Sequence, residues 1–174
     1  MRLIKSLILF LILFNFTEGI SQTQKIKEAK IKFDLPNDKW SLADQKSMEG
    51  LSLYVFKREG LLDSDGREVI SNIAVIIEHA PDTLGVVEFS LFKRMQVPIQ
   101  IEKVLTSMDE QPLLHFVNAI GYKGSYTDEN ELAHTVYIVH LINENKGVQI
   151  IMDITSNLFG VIEEEFLETL KSIK

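Results

Sequence analysis

The chain has 174 residues, no cysteine and a formal net charge of −7. Without cysteine there is no disulfide framework, no thiolate nucleophile or thiolate zinc site, and no cysteine to carry a lipid anchor. The negative balance argues against non-specific nucleic-acid binding and against anionic lipid surfaces.

The N-terminus reads as an export signal. Arg2 and Lys5 form a short basic region, Leu7 to Phe14 is an unbroken apolar run, and the small residues Gly19 and Ser21 precede a cut ahead of Gln22. The run is far shorter than the roughly 20 apolar residues of a spanning helix. A cleaved signal peptide over 1–21 is therefore predicted, with the protein exported to the periplasm or the medium and no membrane span left after cleavage. The remaining 153 residues bury around 70% of their unfolded surface, enough for a core without covalent staples.

Residues 22–30, Gln-Thr-Gln-Lys-Ile-Lys-Glu-Ala-Lys, are polar and read as a flexible lead-in. Residues 31–174 read as one domain. Ile31 to Leu35 is a short strand stopped by Pro36-Asn37-Asp38. Leu51 to Arg58 and Val69 to Glu78 are strands that make a hairpin around the turn signal Asp63-Ser64-Asp65-Gly66. Asp82 or Thr83 is placed to cap a helix whose Leu84, Val87, Leu91 and Met95 fall on one face, and Pro98 ends it. Ile101 to Ser107, Phe116 to Tyr126, Leu132 to Ile142 and Gly147 to Thr155 read as four more strands. The short links between the last three require antiparallel neighbours, because a parallel crossover takes a dozen or more residues. A final helix spans about 157–173, with Phe159, Ile162, Phe166, Leu170 and Ile173 as its apolar stripe.

Both faces of two strands are apolar. Val69, Ile73, Val75 and Ile77 oppose Ile70, Ala74 and Ile76, and Tyr137, Val139 and Leu141 oppose Val136 and Ile138. Each face must then be covered, and two amphipathic helices are available. The predicted fold is α+β: an antiparallel sheet sandwiched between helices.

Particular residues carry a resemblance. Phe33-Asp34-Leu35-Pro36 with Trp40, Asn72-Ile73-Ala74-Val75-Ile76, Gly121-Tyr122 with Tyr126 and Tyr137, and Ile162-Glu163-Glu164-Glu165-Phe166 with Leu170 and Ile173 resemble, in order, the elements of PsbP-like proteins. That superfamily also includes a Ran-binding nuclear import factor. The similarity spans most of 31–173 and rests on packing positions. It implies an α/β/α sandwich and a non-enzymatic accessory or protein-binding role. It implies no site residues, since the ion-binding residues of plant members match no positions here.

Chemistry-bearing patterns are few. Asp63 and Asp65 have the oxygen density of a calcium loop, but the twelfth position from Asp63, where a bidentate Glu belongs, is Ala74. The segment reads first as a hairpin turn with Gly66 at positive φ, and calcium binding is the weaker alternative. The histidines His79, His115, His134 and His140 form no His-x-x-x-His pair, and His134 and His140, six apart on one strand, lie about 20 Å from each other. There is no Gly-x-Ser-x-Gly elbow and no phosphate-cradling glycine motif. Gly121 and Gly124 ease sheet curvature or close packing. Asp128 to Glu131 reads as a solvated hairpin tip and Glu163 to Glu165 as a solvated helix face. Trp40, Tyr122, Tyr126 and Tyr137 read as core aromatics with pocket-lining as the alternative, and Asn72 within an apolar strand needs a hydrogen-bond partner if buried.

The resulting expectation is an exported non-catalytic binding or accessory protein. It has no catalytic residues and no cofactor, with Asp63 and Asp65 as the sole metal candidates. Its partner is another envelope or secreted protein, not a nucleic acid. The alternatives are a small-ligand- or ion-binding domain, or an enzyme whose residues converge only in three dimensions.

Overall fold

A computed structural model describes residues 22–174; the predicted signal peptide, 1–21, lies outside the described residues. Seven strands form one fully antiparallel sheet: β3 (Trp40–Met48), β4 (Leu51–Arg58), β7 (Asn72–His79), β8 (Gln100–Thr106), β9 (Ala119–Thr127), β10 (Ala133–Asn143) and β11 (Lys146–Thr155), in the spatial order β3-β4-β7-β11-β10-β9-β8. Two small hairpins stand outside it: β1 (Gln22–Ile26) with β2 (Ile31–Leu35), and β5 (Leu61–Leu62) with β6 (Glu68–Val69). The helices are α1 (Val86–Arg94) and α2 (Ser156–Ser172). No helix among the described residues is long and apolar enough to cross a membrane.

The α+β sandwich expected from two-faced strands is the fold observed. α2 packs against β2, β10 and β11, and α1 packs against β10 and β9. The layers are unequal. Beneath α2 lies the main core, where Phe33, Trp40, Phe56, Ile150, Met152 and Phe166 are almost wholly buried. On the other face α1 joins only a small cluster of Ala80, Phe89 and Ile142. The outer part of that face, with Val55, Ala74, Ile76 and Ile151, is only half-buried.

Both edges of the sheet are guarded. β3 has a register break between Leu42 and Asp44, and β8 has one between Ile101 and Lys103. Such bulges, with charged residues at or beside them, twist an edge away from a further strand. Edge-to-edge association is thus disfavoured.

Five sequence expectations need correction. Residues 22–30 are no unstructured lead-in: β1 pairs with β2 over five residues, a 3₁₀ turn (Lys27–Ala29) follows, and Ile26 and Ala29 are buried. Backbone pairing and two small apolar anchors order a segment whose composition is polar. β3 was not foreseen, because Trp-Ser-Leu-Ala-Asp-Gln-Lys-Ser-Met is an exposed edge strand without apolar alternation. The stretch 69–78 divides at Ile70-Ser71, and Ser71 donates its hydroxyl to the Asp153 carbonyl (2.9 Å). α1 begins after Gly85, whose N–H donates to the Glu88 carboxylate (2.7 Å), so neither Asp82 nor Thr83 is its cap.

The fifth correction is the orientation of α1. Val87, Leu91 and Met95 were expected to face the core, yet they are 57%, 51% and 88% exposed. The buried residues are Phe89 and Ser90, with Lys93 half-buried beside them. Phe89 lies where a Cβ at Gly147 would come within 2.6 Å of its ring, so the bare glycine backbone is what admits it. Specific polar partners on the sheet, described next, select the less apolar face.

Candidate functional site

Three polar clusters are held by the sheet and its helices. The first ties the ends of β3 and β4 to α2. Glu165 Oε2 accepts from Trp40 Nε1 (2.7 Å) and Arg58 Nε (2.9 Å), and Oε1 accepts from Arg58 Nη2 (3.0 Å). The side chains of Arg58 and Glu165 are 6% and 17% exposed. Burial raises the Glu165 carboxyl, and the Arg58 and Trp40 hydrogen bonds with the Arg58 charge reverse this, leaving its pKa below the ordinary range. Two residues earlier, Glu163 Oε1 takes both Lys123 Nζ (2.9 Å) and Tyr137 OH (3.0 Å). The run Glu163 to Glu165 is therefore no solvated face: only Glu164 points to water. Charge counts in the sequence miss this, because the partners Lys123, Tyr137, Trp40 and Arg58 arrive from four different strands.

The second cluster lies under α1. Ser90 Oγ is 2.9 Å from His140 Nδ1 and 2.7 Å from Tyr122 OH. Ser90 is 0% exposed and His140 1%. Burial depresses the imidazole pKa to about 4, helped by the nearby charges of Lys93 and Arg94. A serine beside a neutral imidazole is half of a nucleophilic arrangement. Here both are sealed, and the carboxylates given to the imidazole elsewhere in such sites are replaced by rings: Phe89 and Tyr122 meet His140 edge-on at 5.9 Å each. The arrangement fixes α1 to β9 and β10.

The third cluster is at the far end of the same face. The His134 ring stacks on Tyr126 (4.9 Å), and its Nδ1 is 3.2 Å from both oxygens of Asp153. Tyr126 OH donates to Asp153 Oδ2 (3.1 Å). Burial and the charges of Asp153 and Asp128 push the Tyr126 phenol up to about 12. Asp128 is no idle hairpin-tip acid: Oδ1 accepts from the N–H groups of Asn130 (2.9 Å) and Leu132 (2.8 Å), and Oδ2 is 3.6 Å from His134 Nε2. Sequence reasoning placed His134 and His140 on one face and missed their partners, since none is within five residues along the chain.

The metal candidates are used locally. Asp63 Oδ1 accepts from the N–H groups of Asp65 (2.9 Å) and Arg67 (2.8 Å), and Asp65 faces Arg67 at 3.5 Å. Gly66 has φ +76°, the positive value the turn needs. Among the described residues no three His, Cys, Asp or Glu side chains converge as a metal set. A surface cavity of about 280 Å³ does open beside this turn, between Asp63, Arg67, Leu132 and Thr155. With Asp63 already closing its turn, millimolar calcium is expected to leave the melting temperature unchanged, and a rise abolished by Asp63→Asn would establish a calcium loop.

Of the other singled-out residues, Trp40 is 1% exposed and belongs to the core. Asn72 is half-exposed, with a long contact of 3.5 Å to the Ile70 carbonyl. Gly121 and Gly124 serve close packing: a Cβ at Gly124 would lie 2.7 Å from the Gln100 carbonyl oxygen.

No family model and no curated protein matches the chain. Solved structures do. The cyanobacterial PsbP (CyanoP) of Synechocystis sp. PCC 6803 superposes with a TM-score of 0.51 at 15% identity over 90% of this chain and 92% of its own. LpqN, involved in cell envelope biogenesis of Mycobacterium tuberculosis, gives 0.51 at 14% over 90% and 91%. A protein of Bacteroides thetaiotaomicron VPI-5482 gives 0.50 at 11%, and the chain spans about half of its length (48%). At such identities the likeness concerns the fold alone, and the chain has a PsbP-like fold.

Proposed function

We propose that this is an exported, non-catalytic binding or accessory protein whose contact surface is the outer face of α1. One observation carries the reading. The more apolar side of the helix is the outer one: Val87, Leu91 and Phe92, the last 66% exposed, with Met95 at its C-cap, form a ridge in water. An exposed apolar cluster on a folded domain marks a site of contact. The sealed Ser90–His140 pair supports a non-catalytic role, since no substrate reaches it. The partner is another envelope or secreted protein, in keeping with the envelope role of LpqN.

The test is capture from native envelope and secreted fractions, with the processed protein and its Leu91→Glu/Met95→Glu variant as baits. The native bait should recover one protein at near-equal amounts. The variant should recover at least about tenfold less while melting almost unchanged, because both side chains already stand in water. A blank with the native bait, or equal recovery by both, sinks the reading.

A further inference from the structure

The N-terminal hairpin and the end of the chain set three lysines abreast. Lys25 of β1 is the register partner of Lys32 of β2. Lys32 in turn exchanges both backbone hydrogen bonds with Lys174, each 2.9 Å long. Directly opposed residues of antiparallel chains project side chains from the same face about 5 Å apart. Lys27 and Lys30, on the turn between β1 and β2, flank this row. All five are exposed, and they line a surface cavity of about 430 Å³ completed by Ile26 and Ile31.

Like charges directly opposite each other destabilise a strand pair, and a chain of net charge −7 has acids enough to avoid that cost. The nearby acidic side chains are instead turned elsewhere. Glu28 accepts from Ser52 Oγ (3.1 Å), Asp34 accepts from Thr23 Oγ1 (2.6 Å), and Glu144 pairs with Lys30 alone (2.6 Å). Among the described residues Lys25, Lys27, Lys32 and Lys174 make no ion pair.

We propose that this lysine row binds phosphate groups presented side by side, as on an anionic phospholipid membrane surface. The geometry favours an array over a single ion. The ammonium groups are compact point charges set in an open line, with no arginine fork to grip one phosphate from several directions. Clustered lysines are the side chains that anionic lipid headgroups attract. The net charge pointed away from such surfaces, but it is an average over the chain. Repulsion from the distant acids is screened beyond about 8 Å at physiological salt, whereas the row acts at contact. The row belongs to the hairpin that packs with α2, on the other side of the sheet from α1. It is thus independent of the surface assigned above, and either can fail alone.

The experiment is vesicle co-sedimentation of the protein as the cell exports and processes it. Mixed phosphatidylglycerol–phosphatidylcholine vesicles are compared with pure phosphatidylcholine. Native protein should bind the mixed vesicles only, and less as salt rises. Each lysine in contact is worth about fivefold in binding, so Lys25→Gln/Lys32→Gln/Lys174→Gln should bind about 100-fold more weakly. Lys103→Gln, an exposed lysine on β8, should bind as native. Removing the like-charge row should also leave the triple variant folded and melting no lower than native, which separates lost contact from lost fold. Equal binding to both vesicle types, or native-like binding by the triple variant, overturns the proposal. So does binding of free tripolyphosphate at the row with both vesicles ignored, which would assign the row to a soluble polyphosphate.

Discussion

Arg58→Met is expected to cost about 3–5 kcal/mol of folding stability, the loss that follows when one partner of a buried ion pair is removed and the other charge is left in place. Glu165 would keep its low exposure and the Trp40 N–H but lose both guanidinium hydrogen bonds (2.9 and 3.0 Å). The measurement is chemical denaturation near pH 7, with the double variant Arg58→Met/Glu165→Leu beside it. The double variant should recover much of the loss, because replacing both members of a buried pair by apolar groups of similar size removes the desolvation penalty as well. A single-variant loss below about 1 kcal/mol would mean that the pair is solvated and does not fasten β3 and β4 to α2. Glu165 also adds acid sensitivity. Its carboxyl is held below its unfolded value, so its contribution is present above the unfolded carboxylate range and is lost as pH falls through the folded value.

Lowering the pH from about 7.5 to 4 should remove about 3 kcal/mol through His140 alone. The unfolded chain takes up this proton near pH 6.5, and the folded chain, with the ring buried under α1, not until about 4. Between those values the unfolded state holds more protons, so stability falls as pH falls. A depression of some two and a half pKa units is worth about 3.5 kcal/mol in full at about 1.4 kcal/mol per unit, and about 3 of it is lost by pH 4, where the folded ring is half protonated. The groups facing the ring work in one direction. Ser90 and Tyr122 are neutral, Phe89 is apolar, and Lys93 and Arg94 repel a second positive charge. The window from pH 6.5 to 5 lies above the range of the perturbed carboxylates Glu163 and Glu165, both held below the ordinary carboxylate value. In His140→Gln the slope over that window should vanish, even though the variant starts less stable. A slope that survives would place the titrating group elsewhere.

The two predictions depend on features of very different legibility. The core stripe of α2 could be read directly: Phe159, Ile162, Phe166, Leu170 and Ile173 recur at helical spacing, and all five are buried. The glutamates between them could not be interpreted. Glu163, Glu164 and Glu165 are identical in sequence terms, yet two are bound by residues 26 to 125 positions away and one stands exposed, near only Lys171 of its own helix (3.6 Å). α1 shows the same limit from the other side. Its apolar stripe is real, but Phe89, Ser90 and Lys93 find partners on the sheet, while Val87, Leu91 and Met95 find none among the described residues.

The sequence by itself determined the class of fold, the antiparallel order of the last three strands, the two-faced sheet and the helix at the end. These follow from local periodicity, turn chemistry and link length, which are properties of neighbouring residues. Only the tertiary structure decided which face of α1 is buried, that 22–30 forms a hairpin, and that Trp40 to Met48 is an edge strand. It alone brought Lys25, Lys32 and Lys174 into one row across 149 positions of chain. Each of these depends on hydrogen bonds, register and charge contacts between residues far apart in the chain, and no local pattern encodes such contacts.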